Sequence, residues 1–323
     1  MRLLRGAAAT AGLVALAGCG GQEGRKEAAQ TAAWTPLHPA TLERTEVAAA
    51  RIGRYAYVVG GFERRSGVTT SAVERYDLRR DRWRRVRSMP LGLNHTTAVA
   101  YHGRLYVQGG YTARRSLSSA TAVLLRYDPA RDRWARLRSS PSPRAAHAAA
   151  VIRGRLYVAA GANSKGSLRS LEIYDFARRR WSRGPALAAP ARNHTTGNAA
   201  GGFFYVFAGR DQSNFSVVDR YDPRHRRWRR MPSMRTPRGG IASARVGRKI
   251  VVFGGENLGP GGTTIAPVEA FDTRRRRWRA LAPMRTPRHG LGGVSFGSRV
   301  YAIEGGPQPG FHFSSAIEAL SVR

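Results

Sequence analysis

Ala98-Val99-Ala100-Tyr101-His102-Gly103-Arg104-Leu105-Tyr106-Val107-Gln108-Gly109-Gly110 is the stretch from which the rest of the chain can be read. Two short runs of small and apolar residues flank a tight turn at His102-Gly103, and the second run stops at a glycine pair. That is the pattern of a β-hairpin with sharply ended strands. Downstream come Tyr127-Asp128, an arginine-bearing turn and Trp134. The same order recurs every fifty residues or so. Tryptophans fall at Trp34, Trp83, Trp134, Trp181, Trp228 and Trp278 and nowhere else. Apolar runs end at Gly60-Gly61, Gly109-Gly110, Ala160-Gly161, Ala208-Gly209, Gly254-Gly255 and Gly305-Gly306. An aromatic-aspartate pair follows at Tyr76-Asp77, Tyr127-Asp128, Tyr174-Asp175, Tyr221-Asp222 and Phe271-Asp272. Three markers in step predict six copies of one structural unit.

Each unit reads as four short strands separated by Gly-, Asp- and Pro-bearing turns, which describes a propeller blade. The glycine pair, the Tyr-Asp, the spaced Trp and the Pro-Arg that opens units (Pro143-Arg144, Pro237-Arg238, Pro287-Arg288) resemble the kelch family over roughly residues 34 to 322. The resemblance implies an all-β, six-bladed kelch β-propeller with four antiparallel strands per blade. Trp34 precedes the first complete unit by one period, and the last unit lacks a C-terminal Trp. The last blade is therefore expected to be closed by an N-terminal strand around Trp34, which removes open sheet edges. Ala160 and Ala208 occupy the first glycine position whereas the second is always Gly, so only the second is expected to demand positive φ. Leu93 stands where other units carry Arg44, Arg144, Arg192, Arg238 and Arg288.

The N-terminus reads as targeting sequence. Arg2 and Arg5 precede an apolar stretch too short to span a bilayer, and Leu16-Ala17-Gly18-Cys19 resembles a bacterial lipoprotein signal. Residues 1–18 are then a signal peptide, 19–33 a lipidated Cys19 with a polar tether, and 34–323 the propeller. This predicts an exported protein, lipid-anchored to the cell membrane or the periplasmic side of the envelope. Cys19 is the sole cysteine, so the mature fold is expected to hold without disulfides.

The formal net charge is +35, and all basic residues except Lys26, Lys165 and Lys249 are arginine. Many flank the tryptophans, as in Arg79-Arg80-Asp81-Arg82-Trp83-Arg84-Arg85 and Arg274-Arg275-Arg276-Arg277-Trp278-Arg279. They would lie on the circumference, where they could face an anionic surface such as lipid head groups or cell-wall polymers. The alternative is a coding bias whose arginines are solvated or paired to Asp. Nucleic acid is disfavoured, since no recognised binding motif is present.

Ligand sites in propellers gather at one end of the central channel. Two positions after the repeated arginine come Glu46, His95, Ala146, His194, Gly240 and Gly290, with His289 beside them. Units two and four share Asn94-His95-Thr96-Thr97 and Asn193-His194-Thr195-Thr196. With Arg210 and Glu256 from the loops after the glycine pairs, and Arg238, these make the candidate pocket Glu46, His95, His194, Arg210, Arg238, Glu256 and His289. Such a group could hold a sugar or a carboxylate, or place a base near an acidic C–H. His95, His194 and Glu46 could in principle ligate a metal, but no metal and no cofactor is expected. The unit-opening arginines are expected to tie neighbouring blades through backbone carbonyls, His147 to pack, Glu74, Glu172, Asp219 and Glu269 to satisfy turns or neighbouring backbone, and the Tyr-Asp aspartates to serve as turn residues.

The kelch resemblance also admits radical copper oxidases, but these need a tyrosine cross-linked to cysteine, which the mature chain lacks. Phosphate loops, His-Glu-x-x-His helices and serine nucleophile elbows are absent from the sequence. The expected function is that of a noncatalytic binding or interaction protein for a glycan, peptide or protein partner. The alternative is an enzyme acting on a sugar or sugar acid, since some bacterial exported kelch proteins are sialic acid epimerases or mutarotases. His194 or His95 would then move a proton, Glu256 or Glu46 would assist, and Arg210 and Arg238 would hold a carboxylate.

Overall fold

The structure is a computed structural model that describes residues 33–188, 190–259 and 261–322. The expected signal, Cys19 and nearly all of the tether lie outside the described residues. Within them the protein is all-β and antiparallel. Six sheets have four strands each, and two small ladders complete the set. The hairpin Ala48–Ile52 and Tyr55–Val59 continues through Val73–Asp77 to Arg82–Val86 in strict sequence order. The sheets beginning at Thr97, Ala148, Thr196 and Gly239 repeat that order. The sixth begins at Gly292, and its outer strand is Thr35–Pro36, with Thr35 opposite Ala319 and Pro36 opposite Glu318.

Alternation explains the layering. In Tyr55–Val59 and its counterparts both faces are covered by neighbouring sheets, so these strands are continuous apolar runs. The first strand of each sheet contacts the first strands of the sheets on either side, ending with Gly292–Phe296 against Ala48–Ile52. Those strands are rich in Ala and Gly (Ala48-Ala49-Ala50, Gly292-Gly293), since only small residues let six of them converge. They line a central cavity of about 450 Å³.

Three sets of bonds link successive sheets. On the outside, each tryptophan indole donates to a carbonyl of the preceding outer segment: Trp83 to His38, Trp134 to Arg87, Trp181 to Arg138, Trp228 to Pro185, Trp278 to Pro232 and Trp34 to Ala282. Trp34 is the buried member of this series and packs edge-on against Phe253. Burying it contributes at most about 4–6 kcal/mol. Further in, Gly61, Gly110, Gly161, Gly209, Gly255 and Gly305 donate their N–H to the carbonyls of Leu93, Arg144, Arg192, Arg238, Arg288 and Arg44. Innermost, the N–H of His95, Ala146, Thr195, Gly240, Gly290 and Val47 donate to the carbonyls of Glu46, His95, Ala146, His194, Gly240 and Gly290. In each set the sixth member bonds across the chain's two ends.

This register corrects two expectations. The sixth pair is Glu304-Gly305 rather than Gly305-Gly306, because Gly305 makes the bond that Gly61 makes in the first sheet. Positive φ is also not confined to the second position. The first position has φ of 47–70° and the second 90–108°. Ala160, Ala208 and Glu304 tolerate the left-handed region at the first position. The second lies beyond it, and a Cβ on Gly110 would stand 2.9 Å from the Asn94 carbonyl oxygen.

The repeated arginines tie neighbouring sheets through backbone carbonyls as expected, and their side chains add ion pairs that were not expected. Their carbonyls accept from the preceding sheet, while their buried guanidiniums turn into their own sheet. Arg144 reaches the Ala160 carbonyl and Glu172, Arg192 reaches Ala208 and Asp219, and Arg288 reaches Glu304 and Glu318. Glu74, Glu172, Asp219 and Glu269 are thus buried ion-pair partners, although Glu269 also accepts from the Arg235 and Thr236 N–H as a turn residue would. Arg44 alone among these arginines pairs across sheets, bonding both Glu74 and Glu304. The Tyr-Asp aspartates do cap turns: Asp222 accepts from the N–H of Arg224 and His225, and Asp272 from Arg274 and Arg275. His147 is buried and bonds Thr97.

Candidate functional site

The innermost ring of backbone bonds carries the site. Glu46, His95, Ala146, His194, Gly240 and Gly290 all take positive φ, between 50° and 69°. The chain turns there from the ion-paired segment into the first strand, and the turn aims each side chain at the same end of the channel. A Cβ on Gly290 would stand 2.6 Å from the Glu46 carboxylate, so glycine at that position makes room for it. The residue after each second glycine, or before each ring position, supplies a second tier through the pairings Asn193 with Arg210, Gly239 with Glu256 and His289 with Gly306.

Six of the seven candidate residues meet here. His95 Nε2 lies 3.0 Å from Glu46 Oε2 and 3.1 Å from His194 Nε2. His289 Nδ1 is 3.1 Å from Glu46 Oε1 and 3.5 Å from Glu256 Oε2. Arg210 bonds Glu256 at 2.7 Å. Arg238 is not among them. It is buried in its own sheet, held by the Gly254 and Pro267 carbonyls and by Glu269 at 3.0 Å. Both arginines assigned to a substrate carboxylate are therefore committed to protein carboxylates.

Burial sets the electrostatics. It pulls the His95 and His194 imidazoles down from their ordinary range, with the charge of Arg210 adding to the fall at both, and His194 goes furthest because Glu46 opposes the fall mainly at His95. Burial acts the same way on His289, but the hydrogen bond and charge of Glu46 and the charge of Glu256 outweigh it and raise that group. Burial would raise Glu46, yet the three histidines around it hold its carboxyl well below the usual carboxylate range. Glu46, His95 and His194 offer ligand atoms all within 4.8 Å of one another, as do Glu46, Glu256 and His289.

Several contributors escape a sequence reading. Phe62 and Tyr111 pack edge-on against His95 from the second tier, and Phe311 lies on Phe62 with ring centroids 4.8 Å apart. The Gly310 N–H donates to Glu256 Oε2, so the loop before the last strand leans over the cluster. Asn94 and Asn193 accept from the Nδ1 atoms of His95 and His194. The repeated Asn-His dipeptide was the available signal for these two.

The loops after the glycine pairs emerge at the same end, because each second strand ends where each first strand begins. Among the described residues, the exposed large apolar side chains are Leu117, Leu258 and Phe311, exposed by 49%, 54% and 52%. All three belong to these loops. Neighbouring loops are braced together: Arg115 donates to Gly67, Ser167 to Asp211 and Thr264 to Pro307.

Comparison with known proteins gives a consistent family. Residues 46–255 match the family described as the KLHDC2/KLHL20/DRC7 Kelch-repeats domain, and residues 237–285 match the Kelch motif. The kelch-like protein terF of Aspergillus terreus is 33% identical over 128 residues, covering 37% of this chain and 28% of that protein. Human kelch-like protein 31 is 33% identical over 143 residues, covering 42% of this chain and 22% of that protein. The matches thus span about a quarter of those relatives' length. The solved structure of YjhT superposes with a TM-score of 0.76 at 15% identity, covering 89% of this chain and 97% of that one, a likeness of fold.

Proposed function

The chain belongs to the kelch-repeat family, and from that premise we propose that it is a six-bladed, closed propeller that seats a protein partner on its loop face. Kelch-repeat propellers are generally protein-interaction modules, and the family supports a partner of that class. The observation that carries the reading is the coincidence of Leu117, Leu258 and Phe311 on loops of one end, braced to their neighbours. Exposed apolar side chains on an ordered frame contribute to binding with little loss of conformational entropy. The cationic surface would favour a partner with acidic groups and speed its encounter. The same reading places the protein at the envelope, tethered through a lipidated Cys19, with the arginine-rich rim free to lie near anionic head groups.

Photo-crosslinking in the cells that make the protein tests the loop face. A crosslinking residue at Leu117, Leu258 or Phe311 should trap a discrete partner, while one at the rim positions Arg84 or Arg229 should not. Discrete products from the rim alone would overturn the assignment. Six-fold closure rests on the bonds across the chain ends, and deleting residues 30–38 tests it. The deletion should lower the thermal midpoint of the whole ring, and an unchanged midpoint would refute closure by this strand.

A further inference from the structure

We propose that Glu46, His95 and His194 form a binding site for a divalent transition-metal ion, of which zinc is the representative. Thr69 Oγ1 donates to the Ala113 carbonyl, which can only accept, so the same oxygen must accept from Asn94 Nδ2 at 2.7 Å. That fixes the Asn94 amide with Oδ1 toward His95 Nδ1 at 2.7 Å, and Nδ1 must carry the proton. A neutral His95 therefore presents a bare lone pair at Nε2. An independent relay repeats this in the fourth unit. Ser167 Oγ donates to the Asp211 carboxylate and accepts from Asn193 Nδ2, both at 2.7 Å, and Asn193 Oδ1 accepts from His194 Nδ1. His194 Nε2 is bare as well.

These two lone pairs face each other at 3.1 Å, and Glu46 Oε2 stands 3.0 Å from His95 Nε2. Three acceptors cannot converge in a buried site without a positive centre among them. A metal ion needs three deprotonated donors and gets them. Donors around a tetrahedral ion with bonds of roughly 2.0–2.2 Å stand only slightly farther apart than these. Each ligand also has a fixed second partner, as metal-binding histidines and carboxylates do. For the histidines it is an asparagine, and for Glu46 it is His289, which engages Oε1 and leaves Oε2 for the ion. Two nitrogens and one oxygen favour zinc or another first-row ion over calcium or magnesium. Three protein ligands leave a coordination position for water or a partner's donor atom. The repeated Asn-His is then explained as two copies of a ligand with its orienting amide. The site does not depend on the loop-face reading, and it revises the expectation that the chain holds no metal.

The test uses untagged full-length protein purified in detergent, stripped with chelator and titrated with zinc chloride against a chromophoric competitor, with cobalt(II) absorption as a second probe. Wild type should bind one zinc ion per chain and give a low-symmetry cobalt spectrum. His95→Ala and His194→Ala should each abolish stoichiometric binding, while His225→Ala, on the surface, should not. Asn193→Ala, which keeps all three ligands, should weaken binding about 10–100-fold. It serves as the informative variant if a histidine variant fails to fold by circular dichroism. Wild type that takes up no zinc or cobalt, or an Asn193→Ala and His194→Ala pair that bind as tightly as wild type, would overturn the site.

Discussion

In the sheet that begins at Thr97, Leu93 and Leu125 occupy the positions that Arg144 and Glu172 hold in the next sheet, and all four are buried. Leu93 still accepts from Gly61 through its carbonyl, as Arg144 does from Gly110. The backbone link is common to both sheets, and only the side-chain filling differs. Five sheets fill the space with a guanidinium and a carboxylate, and one fills it with two leucines in the same apolar cluster. Both members of the pair have changed together. That is what desolvation requires, since either charge alone in such a place is costly while the matched apolar pair is not.

The comparison can be broken at its strongest point by Arg144→Leu. Glu172 would be left buried without a counter-charge, and urea unfolding should show a loss of about 3–5 kcal/mol. A loss under about 1 kcal/mol would mean that the pair contributes little and that the exchange to leucine in the second sheet carries no lesson.

A smaller effect belongs to Arg44, which serves two carboxylates. Burial, opposed by Arg44 and reinforced by Glu74, pushes the Glu304 carboxyl up to about 7. A carboxyl raised on folding binds more protons in the native state, so stability falls as pH rises between about 4.5 and 7 and the full cost is present above that. Glu304→Gln should therefore stabilise the protein at pH 8 by about 1–3 kcal/mol and do little near pH 4. A thermal midpoint that responds equally at both pH values would refute the assignment.

The smallest effect is expected from converting the third sheet into a copy of the second. Arg144→Leu with Glu172→Leu should lie within about 1 kcal/mol of wild type, recovering most of the loss seen in the single variant. A double variant as unstable as the single one would show that the guanidinium's bonds to the Ala160 and Ser170 carbonyls matter more than the charge pairing.

Much of the architecture was legible beforehand. The spacing of Trp, Tyr-Asp and Gly-Gly set the repeating unit, and the stray Trp34 pointed to the strand that completes the last sheet. These signals are local, because each turn or strand end imposes its own residue within a few positions. The misreadings were also local. Gly305-Gly306 looks like a glycine pair, and nothing in the sequence says that Glu304 takes the first place. That follows from the bond between Gly305 and the Arg44 carbonyl, made by residues far apart in the chain.

The candidate site divides in the same way. The sequence by itself determined which residue types stand at the mouth of each unit, because position within a repeat decides which end of a strand a side chain occupies. Tertiary structure alone decided that Glu46, His95, His194, Glu256 and His289 touch, that Arg238 does not join them, and that two asparagines aim two histidine lone pairs at one point. Those facts depend on how successive sheets pack against one another and on which hydrogen-bond donors are already spent. Neither quantity is carried by any one repeat.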